Sequence, residues 1–161
     1  MARRDDQVER LATLLLARSA RLATVESCTG GLIAAAITDK AGSSDWFEGG
    51  WVTYSNELKQ ALGVPAAALR DHGAVSESVA RAMALAGQQQ AGVEYAVAVT
   101  GVAGPGGGSA EKPVGTVWIG WAFGRDVQAK RFLFPGDRAA VRQQTVEAAL
   151  SGLIESLERE I

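Results

Sequence analysis

The segment LATVESCTGGLIAAAITD, residues 22–39, joins a short apolar stretch to a run of small residues through a turn that contains glycine. Leu22 to Ser27 is short and rich in β-forming residues, which predicts a buried strand. The small-residue run after Gly31 predicts a helix. A strand, a glycine turn and a helix in this order leave peptide N–H groups free at the carboxyl end of the strand. Such a turn favours an anion or an oxyanion.

The chain on either side of this segment alternates helical and extended patterns. Residues 5–19 carry apolar side chains at helical spacing, and residues 95–100 form a short apolar run. Two extended segments, residues 114–123 and 127–134, flank the turn Gly124-Arg125-Asp126 and predict an antiparallel hairpin. Further helices are predicted to begin after Ser55, Pro65 and Ser76, and a last helix runs from Arg138 to about Glu158.

The order of these elements predicts the class of fold. Strands that are linked through helices pair in parallel, whereas the hairpin is antiparallel, so the sheet is mixed. Helices are then available to cover both of its faces. The predicted fold is α/β, a three-layer α/β/α sandwich with a mixed sheet, formed by residues 1–161 as a single domain.

Composition narrows the classes of partner. The net charge is −2 and no basic block is present, which argues against a nucleic-acid partner held by phosphate neutralisation. A single cysteine, Cys28, allows neither an internal disulfide nor a cysteine-based zinc site. The charged amino-terminal stretch is not followed by an apolar segment that could direct export or span a membrane. We therefore expect a cytoplasmic protein without a membrane partner.

The segment GSSDWFEGGWVTYSNELK, residues 42–59, combines serine, tyrosine and lysine side chains. Ser55 and Asn56 have the pattern of a helix cap, so Lys59 lies about one turn into the following helix. A cation at that position gains nothing from the helix dipole, which fits a lysine that is used uncharged. Ser44 and Lys59, flanked by Tyr54, supply a nucleophile and a base, although on residue type and spacing alone two surface residues are the simpler interpretation.

Two other residues, a histidine and a cysteine, are candidates for a reactive group. His72 is the only histidine and lies beside Gly73 at a predicted helix end, where a capping or exposed role argues against a Ser–His–Asp arrangement. Cys28 is the alternative nucleophile, since a thiol near a helix N-terminus ionises more readily. Its neighbours are apolar, however, and a small buried core residue is the simpler interpretation. No paired carboxylates have the spacing of a metal site, so no metal is predicted.

The segment Gly101–Pro113 is rich in glycine and cannot form a regular element. It lacks the spacing of a phosphate-binding P-loop or of a dinucleotide fingerprint. A mobile surface loop is one interpretation, but irregular loops of this length in small domains are usually functional. Because it follows a strand, it is expected to meet the turn after Ser27 at the ligand crevice of the sheet.

Several stretches together resemble the CinA C-terminal domain family, the nicotinamide-mononucleotide amidohydrolases. They run in family order along nearly the whole chain, and the combination is far more specific than each stretch alone. The chain resembles the stand-alone form of the family. The matching stretches are ESCTGG (26–31), AGSSDWFEGGWVTYSNELK (41–59), HGAVSESVA (72–80), TGVAGPGGGSAEKPVGTVW (100–118) and GDRAAVRQQ (136–144).

The resemblance implies hydrolysis of the carboxamide of nicotinamide mononucleotide (NMN) to nicotinate mononucleotide and ammonia, with no cofactor. The Ser–Lys chemistry of the family is placed on Ser44 as nucleophile and Lys59 as base, with Tyr54 at the oxyanion or in proton relay. The competing assignment makes Ser27 the nucleophile and Ser44 a ligand contact. The residues expected to bind the substrate are Ser27, Thr29, Gly30 and Arg142 at the phosphate, and Thr100, Gly101 and Gly104 along the nucleotide.

Two further expectations accompany this assignment. A homodimer or higher homo-oligomer is expected from the family and from four tryptophans on a small domain. A non-catalytic nucleotide-binding or competence-linked interaction module is the alternative function. The intact set of Ser44, Tyr54 and Lys59 favours the enzyme.

Overall fold

A computed structural model of the protein describes residues 2–159, with side chains from residue 3 onward. Helices and strands follow one another in the order that the sequence predicts, and a short 3-10 turn at Ser43–Asp45 precedes the second strand. The elements are α1 (Ala2–Ala17), β1 (Leu22–Glu26), α2 (Leu32–Thr38), β2 (Phe47–Val52), α3 (Asn56–Leu62), α4 (Ala66–His72), α5 (Glu77–Ala91), β3 (Tyr95–Gly101), β4 (Thr116–Phe123), β5 (Asp126–Leu133) and α6 (Arg138–Arg159).

The strands form one sheet in the order β2-β1-β3-β4-β5. Strand β1 pairs in parallel with both β2 and β3, whereas β3–β4 and β4–β5 are antiparallel. The predicted mixed sheet is confirmed, and the antiparallel part begins where β3 meets the hairpin.

Apolar side chains leave both faces of the central strands, so helices pack on both sides. On β3, Val97 and Val99 belong to one buried cluster, while Ala96 and Ala98 belong to another. The first cluster includes apolar residues of α1, α2 and α6, and the second includes those of α3, α4 and α5. This alternation is the period of a strand buried on both faces. The predicted three-layer α/β/α sandwich is therefore confirmed.

The carboxyl ends of β1, β2 and β3 lie side by side. Glu26 at the end of β1 is in register with Val52 of β2 and with Val99 of β3. Two hydrogen bonds continue this alignment past the strands: Thr53 N–H donates to the Glu26 carbonyl (2.8 Å), and Ser27 N–H donates to the Val99 carbonyl (3.1 Å). The segments that follow the three strands consequently meet at one edge of the sheet.

Two strand boundaries differ from what side-chain propensity alone indicates. Thr53 and Tyr54 have β-forming side chains but lie after the end of β2. Strand β4 begins at Thr116 and not at Val114, because Gly115 turns the chain with φ of 96° while its N–H donates to the Val102 carbonyl. Side-chain propensity does not register such local turns. No helix within residues 2–159 is long and apolar enough to cross a bilayer.

Candidate active site

A cavity of about 330 Å³ opens at the edge of the sheet where β1 and β3 end. Its wall is built by the turn after β1, by the segment that leads into α3, by the glycine-rich loop after β3 and by the first residue of α6. The side chains and backbone that matter for its chemistry belong to Ser27, Tyr54, Lys59, Thr100, Gly104 and Arg138.

Lys59 is the central residue of this cavity. Helix α3 begins at Asn56, and the Ser55 hydroxyl accepts the Leu58 N–H (3.1 Å) as the predicted cap. The Lys59 side chain is only 1% exposed. Its Nζ lies 3.1 Å from Ser27 Oγ, 2.8 Å from the Thr53 carbonyl oxygen and 3.2 Å from the Tyr54 carbonyl oxygen. The amine is thus held by two backbone acceptors and faces one serine hydroxyl.

The surroundings of Lys59 favour its neutral form. Burial lowers the pKa of Lys59 below its ordinary value, because an ammonium loses more hydration than an amine. A neutral amine has two N–H groups and one lone pair. Lys59 Nζ is a donor to Ser27 Oγ and to both carbonyl oxygens. In the neutral amine the two carbonyl oxygens match the N–H groups, and the lone pair then faces the Ser27 hydroxyl and can take its proton. The arrangement suits a serine nucleophile activated by a lysine base.

Ser44 does not lie beside Lys59, so the expected contact between these two residues is wrong. Ser44 is exposed in the turn before β2, where its carbonyl oxygen accepts a hydrogen bond from Arg21 Nη2 (3.1 Å). Arg21 directly precedes β1, so this contact lies at the amino ends of β1 and β2. Strand β2 then carries the chain the length of the sheet, at ~3.3 Å per residue, before Lys59 is reached. Ser27, the competing candidate, is the serine at the amine.

Tyr54 contributes to the cavity in two separate ways. Its carbonyl oxygen accepts from Lys59, as described above. Its side chain is 59% exposed, and its hydroxyl accepts a hydrogen bond from Arg138 Nη2 (3.1 Å). The phenol therefore lies at the open side of the cavity with Arg138, and its hydrogen bond does not involve the Ser27–Lys59 pair.

The turn after β1 is closed by the buried carboxylate of Glu26. One oxygen accepts from the Thr29 hydroxyl (2.6 Å) and from the N–H groups of Gly31 (3.2 Å) and Ile33 (2.9 Å), and the other accepts from Ala34 N–H (3.0 Å). The carboxylate thus satisfies the amino end of α2. These amides and the Thr29 hydroxyl already donate to an internal acid, which does not favour the predicted contact with a substrate phosphate.

Arg142 supports the same turn. Its Nε donates to the Cys28 carbonyl (3.1 Å) and its Nη2 donates to the Thr29 carbonyl (3.1 Å). Gly30 adopts φ of 59°, and a Cβ at this position would lie 3.5 Å from Arg142 Nη2. Arg142 and Gly30 hence fix the backbone that carries Ser27, and they do not line the cavity as the phosphate assignment requires.

The predicted nucleotide-lining residues lie where the sequence places them, at the wall of the cavity. Thr100, Gly101 and Gly104 all line it. The Thr100 hydroxyl donates to the Ala74 carbonyl (2.9 Å), which ties the end of β3 to the segment before α5. Their contact with a substrate stays a prediction.

Glu26 gives a prediction about stability. Replacement of Glu26 by glutamine puts an amide N–H₂ where a carboxylate oxygen accepts hydrogen bonds, which leaves buried donors unpaired. We expect the free energy of unfolding in urea to fall by about 1–3 kcal/mol. Glu94→Gln is the matched control, because Glu94 is exposed and a glutamine oxygen can still accept the Arg21 N–H. Equal stability of the two variants would contradict a structural role for the Glu26 carboxylate.

Cys28 is a buried thiol at the wall of the cavity. Burial raises the pKa of Cys28 to about 11, with a smaller contribution in the same direction from Glu26. The core interpretation of this residue is confirmed by its burial. We expect iodoacetamide to modify the native protein at pH 8 at least ~10-fold more slowly than the urea-unfolded protein. Comparable rates of modification, followed by mass spectrometry, would show that Cys28 is accessible.

Arg138 is the residue of the cavity wall that sequence reasoning missed. It lies four positions before Arg142 in the stretch GDRAAVRQQ, on the same face of α6, and nothing in the local pattern distinguishes the two arginines. Only their contacts do, because Arg138 lines the cavity while Arg142 braces the turn behind it. Among residues 2–159, no group of His, Cys, Asp and Glu side chains could hold a metal ion.

These features define a class of protein: a three-layer α/β/α domain in which a buried lysine amine contacts a serine hydroxyl at the carboxyl ends of the parallel strands. The model of the CinA C-terminal domain family matches residues 4–157, and the chain belongs to this family.

Several known proteins are similar to the chain over most of its length. Nicotinamide-nucleotide amidohydrolase PncC of Pseudomonas putida is 54% identical over 155 residues, which are 93% of this chain and 97% of that protein. The PncC protein of Escherichia coli K12 is 52% identical over 147 residues, 90% of this chain and 89% of that protein. A CinA-like protein of Akkermansia muciniphila is 51% identical over 142 residues, but this chain spans only 34% of its length.

Solved structures agree with this placement. A CinA superfamily protein from Klebsiella pneumoniae superposes with a TM-score of 0.93 at 40% identity, covering 97% of this chain and 98% of that one. A competence/damage-inducible protein from Agrobacterium tumefaciens gives a TM-score of 0.92 at 41% identity, covering 97% and 96%. The fold is shared along nearly the whole chain.

Proposed function

We propose that the protein is an amidohydrolase that converts NMN to nicotinate mononucleotide and ammonia, with Ser27 as nucleophile and Lys59 as base. The observation that carries this proposal is the 3.1 Å contact between Lys59 Nζ and Ser27 Oγ in a buried environment. The PncC relatives, which are named as nicotinamide-nucleotide amidohydrolases, support the choice of reaction and substrate.

The first half of the reaction forms an ester on Ser27. Ser27 Oγ attacks the carboxamide carbon while its proton passes to the lone pair of Lys59. The resulting ammonium then donates a proton to the departing nitrogen as the carbon–nitrogen bond breaks. Ammonia leaves, Lys59 is neutral again, and the nicotinoyl group is bound to Ser27.

The second half returns the enzyme to its starting state. Water attacks the ester carbon as Lys59 accepts one of its protons. The bond between the carbon and Ser27 Oγ breaks, and the proton on Lys59 returns to the serine oxygen. The nicotinate mononucleotide formed is a carboxylic acid, and it leaves as a carboxylate after its proton passes to water. Because Lys59 is held by the carbonyl oxygens of Thr53 and Tyr54, the amine stays in place through both halves.

The burial of Lys59 also argues against a purely non-catalytic module. A buried lysine without an acidic partner destabilises a fold, since its ammonium is poorly solvated. A module that only binds a nucleotide or a protein has no use for such a residue beside a serine. The predicted homo-oligomer and the cytoplasmic location stay predictions.

Incubation of the purified protein with NMN tests the proposal directly. Ammonia release is followed by a coupled glutamate dehydrogenase assay, and the second product is identified by mass spectrometry. Equimolar ammonia and nicotinate mononucleotide are expected. If the wild-type protein releases no more ammonia than the Ser27→Ala variant, the proposed function is wrong.

A further inference from the structure

Arg138 lies at the mouth of the cavity and is held from two sides. Its Nη1 donates to the Gly104 carbonyl (2.8 Å) in the glycine-rich loop, and its Nη2 donates to the Tyr54 hydroxyl (3.1 Å) in the segment before α3. The guanidinium therefore bridges two walls of the cavity. A guanidinium carries more N–H donors than these two hydrogen bonds use, so donors remain for a ligand.

The charges around the cavity make this guanidinium attractive to an anion. The residues of the wall include Lys59 and Arg138 as basic groups and no aspartate or glutamate. Lys59 is buried at the floor, whereas Arg138 is exposed. The neighbouring Asp137 carboxylate accepts the Ala140 N–H (2.9 Å) and so caps the start of α6. An anion that enters the cavity meets Arg138 as the exposed cation of the wall.

The other arginine and the helix amides near the cavity are already occupied. Arg142 donates to the carbonyl oxygens of Cys28 and Thr29, and the amino end of α2 donates to Glu26. These groups cannot bind an anion without breaking the turn that carries Ser27. Arg138 can do so while it keeps its bond to Gly104.

We propose that Arg138 recognises the phosphate of the substrate, with Tyr54 and Gly104 as positioning groups, so that the site selects a nucleotide over the corresponding nucleoside. This inference rests on the proposed function and concerns the end of the substrate away from the reacting amide. A phosphate fits the planar fork of a guanidinium, and its remaining oxygens stay hydrated at the open mouth. The amide then extends inward to Ser27.

Arg138 and Arg142 are expected to differ in their effect on a matched pair of substrates. NMN and nicotinamide riboside differ only by the phosphate. Arg138→Ala should lower kcat/KM for NMN by roughly 10- to 100-fold, mainly through KM, and leave the low kcat/KM for nicotinamide riboside unchanged. Arg142→Ala should lower kcat for both substrates, because it loosens the turn that carries Ser27.

Three further variants complete the set. Arg138→Lys keeps the charge but not the fork, and should recover part of the NMN activity. Tyr54→Phe removes one of the two bonds that hold the guanidinium, and should raise KM for NMN a few-fold. Arg125→Ala is the control, because Arg125 is exposed in the turn between β4 and β5, at the opposite edge of the sheet.

The experiment measures ammonia release from both substrates, together with calorimetric binding of both to the Ser27→Ala protein and to the Ser27→Ala/Arg138→Ala double variant. A loss of kcat/KM and of affinity confined to NMN supports the inference. Equal losses for the two substrates, no loss for either, or wild-type turnover of nicotinamide riboside as fast as of NMN would each overturn it while leaving the hydrolase intact. If the wild-type protein hydrolyses neither, the proposed function fails, and the binding comparison alone decides the role of Arg138.

Discussion

The Ser27→Ala variant is expected to lose essentially all ammonia release from NMN. The hydroxyl that faces Lys59 Nζ at 3.1 Å is removed, and no acyl-enzyme can form. Removal of the nucleophile from serine hydrolases that act through a coupled unit lowers kcat by several orders of magnitude, so a loss of at least ~10³-fold is expected. Initial rates of ammonia release at saturating NMN measure it.

Ser44→Ala is the matched control for this experiment. Ser44 is also a serine in a matching stretch of the family, but it is exposed at the opposite edge of the sheet. Its contact there is made by its backbone carbonyl, which alanine retains. We expect near wild-type kcat and KM. A large loss in Ser44→Ala together with an active Ser27→Ala protein would reverse the assignment of the nucleophile.

Replacement of Lys59 by methionine is expected to remove activity while the protein becomes more stable. A methionine of similar length fills the same buried space without an amine to desolvate, and general-base catalysis contributes ~10²–10⁴ in kcat. Lys130→Met is the control, because Lys130 is exposed on β5. Turnover in Lys59→Met within a few-fold of wild type would show that the amine is not the base.

The same lysine predicts the pH dependence of both rate and stability. Burial lowers the pKa of Lys59 in the folded state below 10.5, so kcat/KM rises with pH as the amine loses its proton. The unfolded chain binds more protons than the native protein between these two pKa values, so the stability of the wild type increases with pH across that interval. As the pH drops from above 10.5 this stability is lost, and the loss is complete once the pH is below the folded-state pKa, where both states bind the proton. In Lys59→Met both dependences should disappear.

The fold was accessible from sequence because its signals are local. Alternating apolar residues, helix caps at Ser55 and Ser76, and the turn at Gly124 each identify an element or its boundary. The order of elements then restricts the topology to a mixed sheet covered on both faces. Even the odd position of Lys59 at a helix start correctly indicated an amine in an unusual environment.

The contacts of the site were not accessible in the same way. Ser44 and Lys59 are close in sequence but separated by the length of β2, whereas Ser27 and Lys59 are distant in sequence and meet because β1 and β2 are parallel and in register. Likewise, the turn after Ser27 has the pattern of an anion site, and only the structure shows that Glu26 fills it from within. Register and side-chain direction decide both cases, and neither is a local property.

The backbone acceptors of Lys59 have a consequence for how this site tolerates sequence change. The amine is held by peptide oxygens at positions 53 and 54, which every amino acid possesses. The exposed side chain of Tyr54 can therefore change without displacing the Lys59 amine, whereas the Thr53 side chain is buried. The side chain at position 54 can accordingly change with the ligand that enters the cavity, while the carbonyl oxygen of the same residue still holds the Lys59 amine. A substitution at this position can therefore alter ligand preference without altering reactivity.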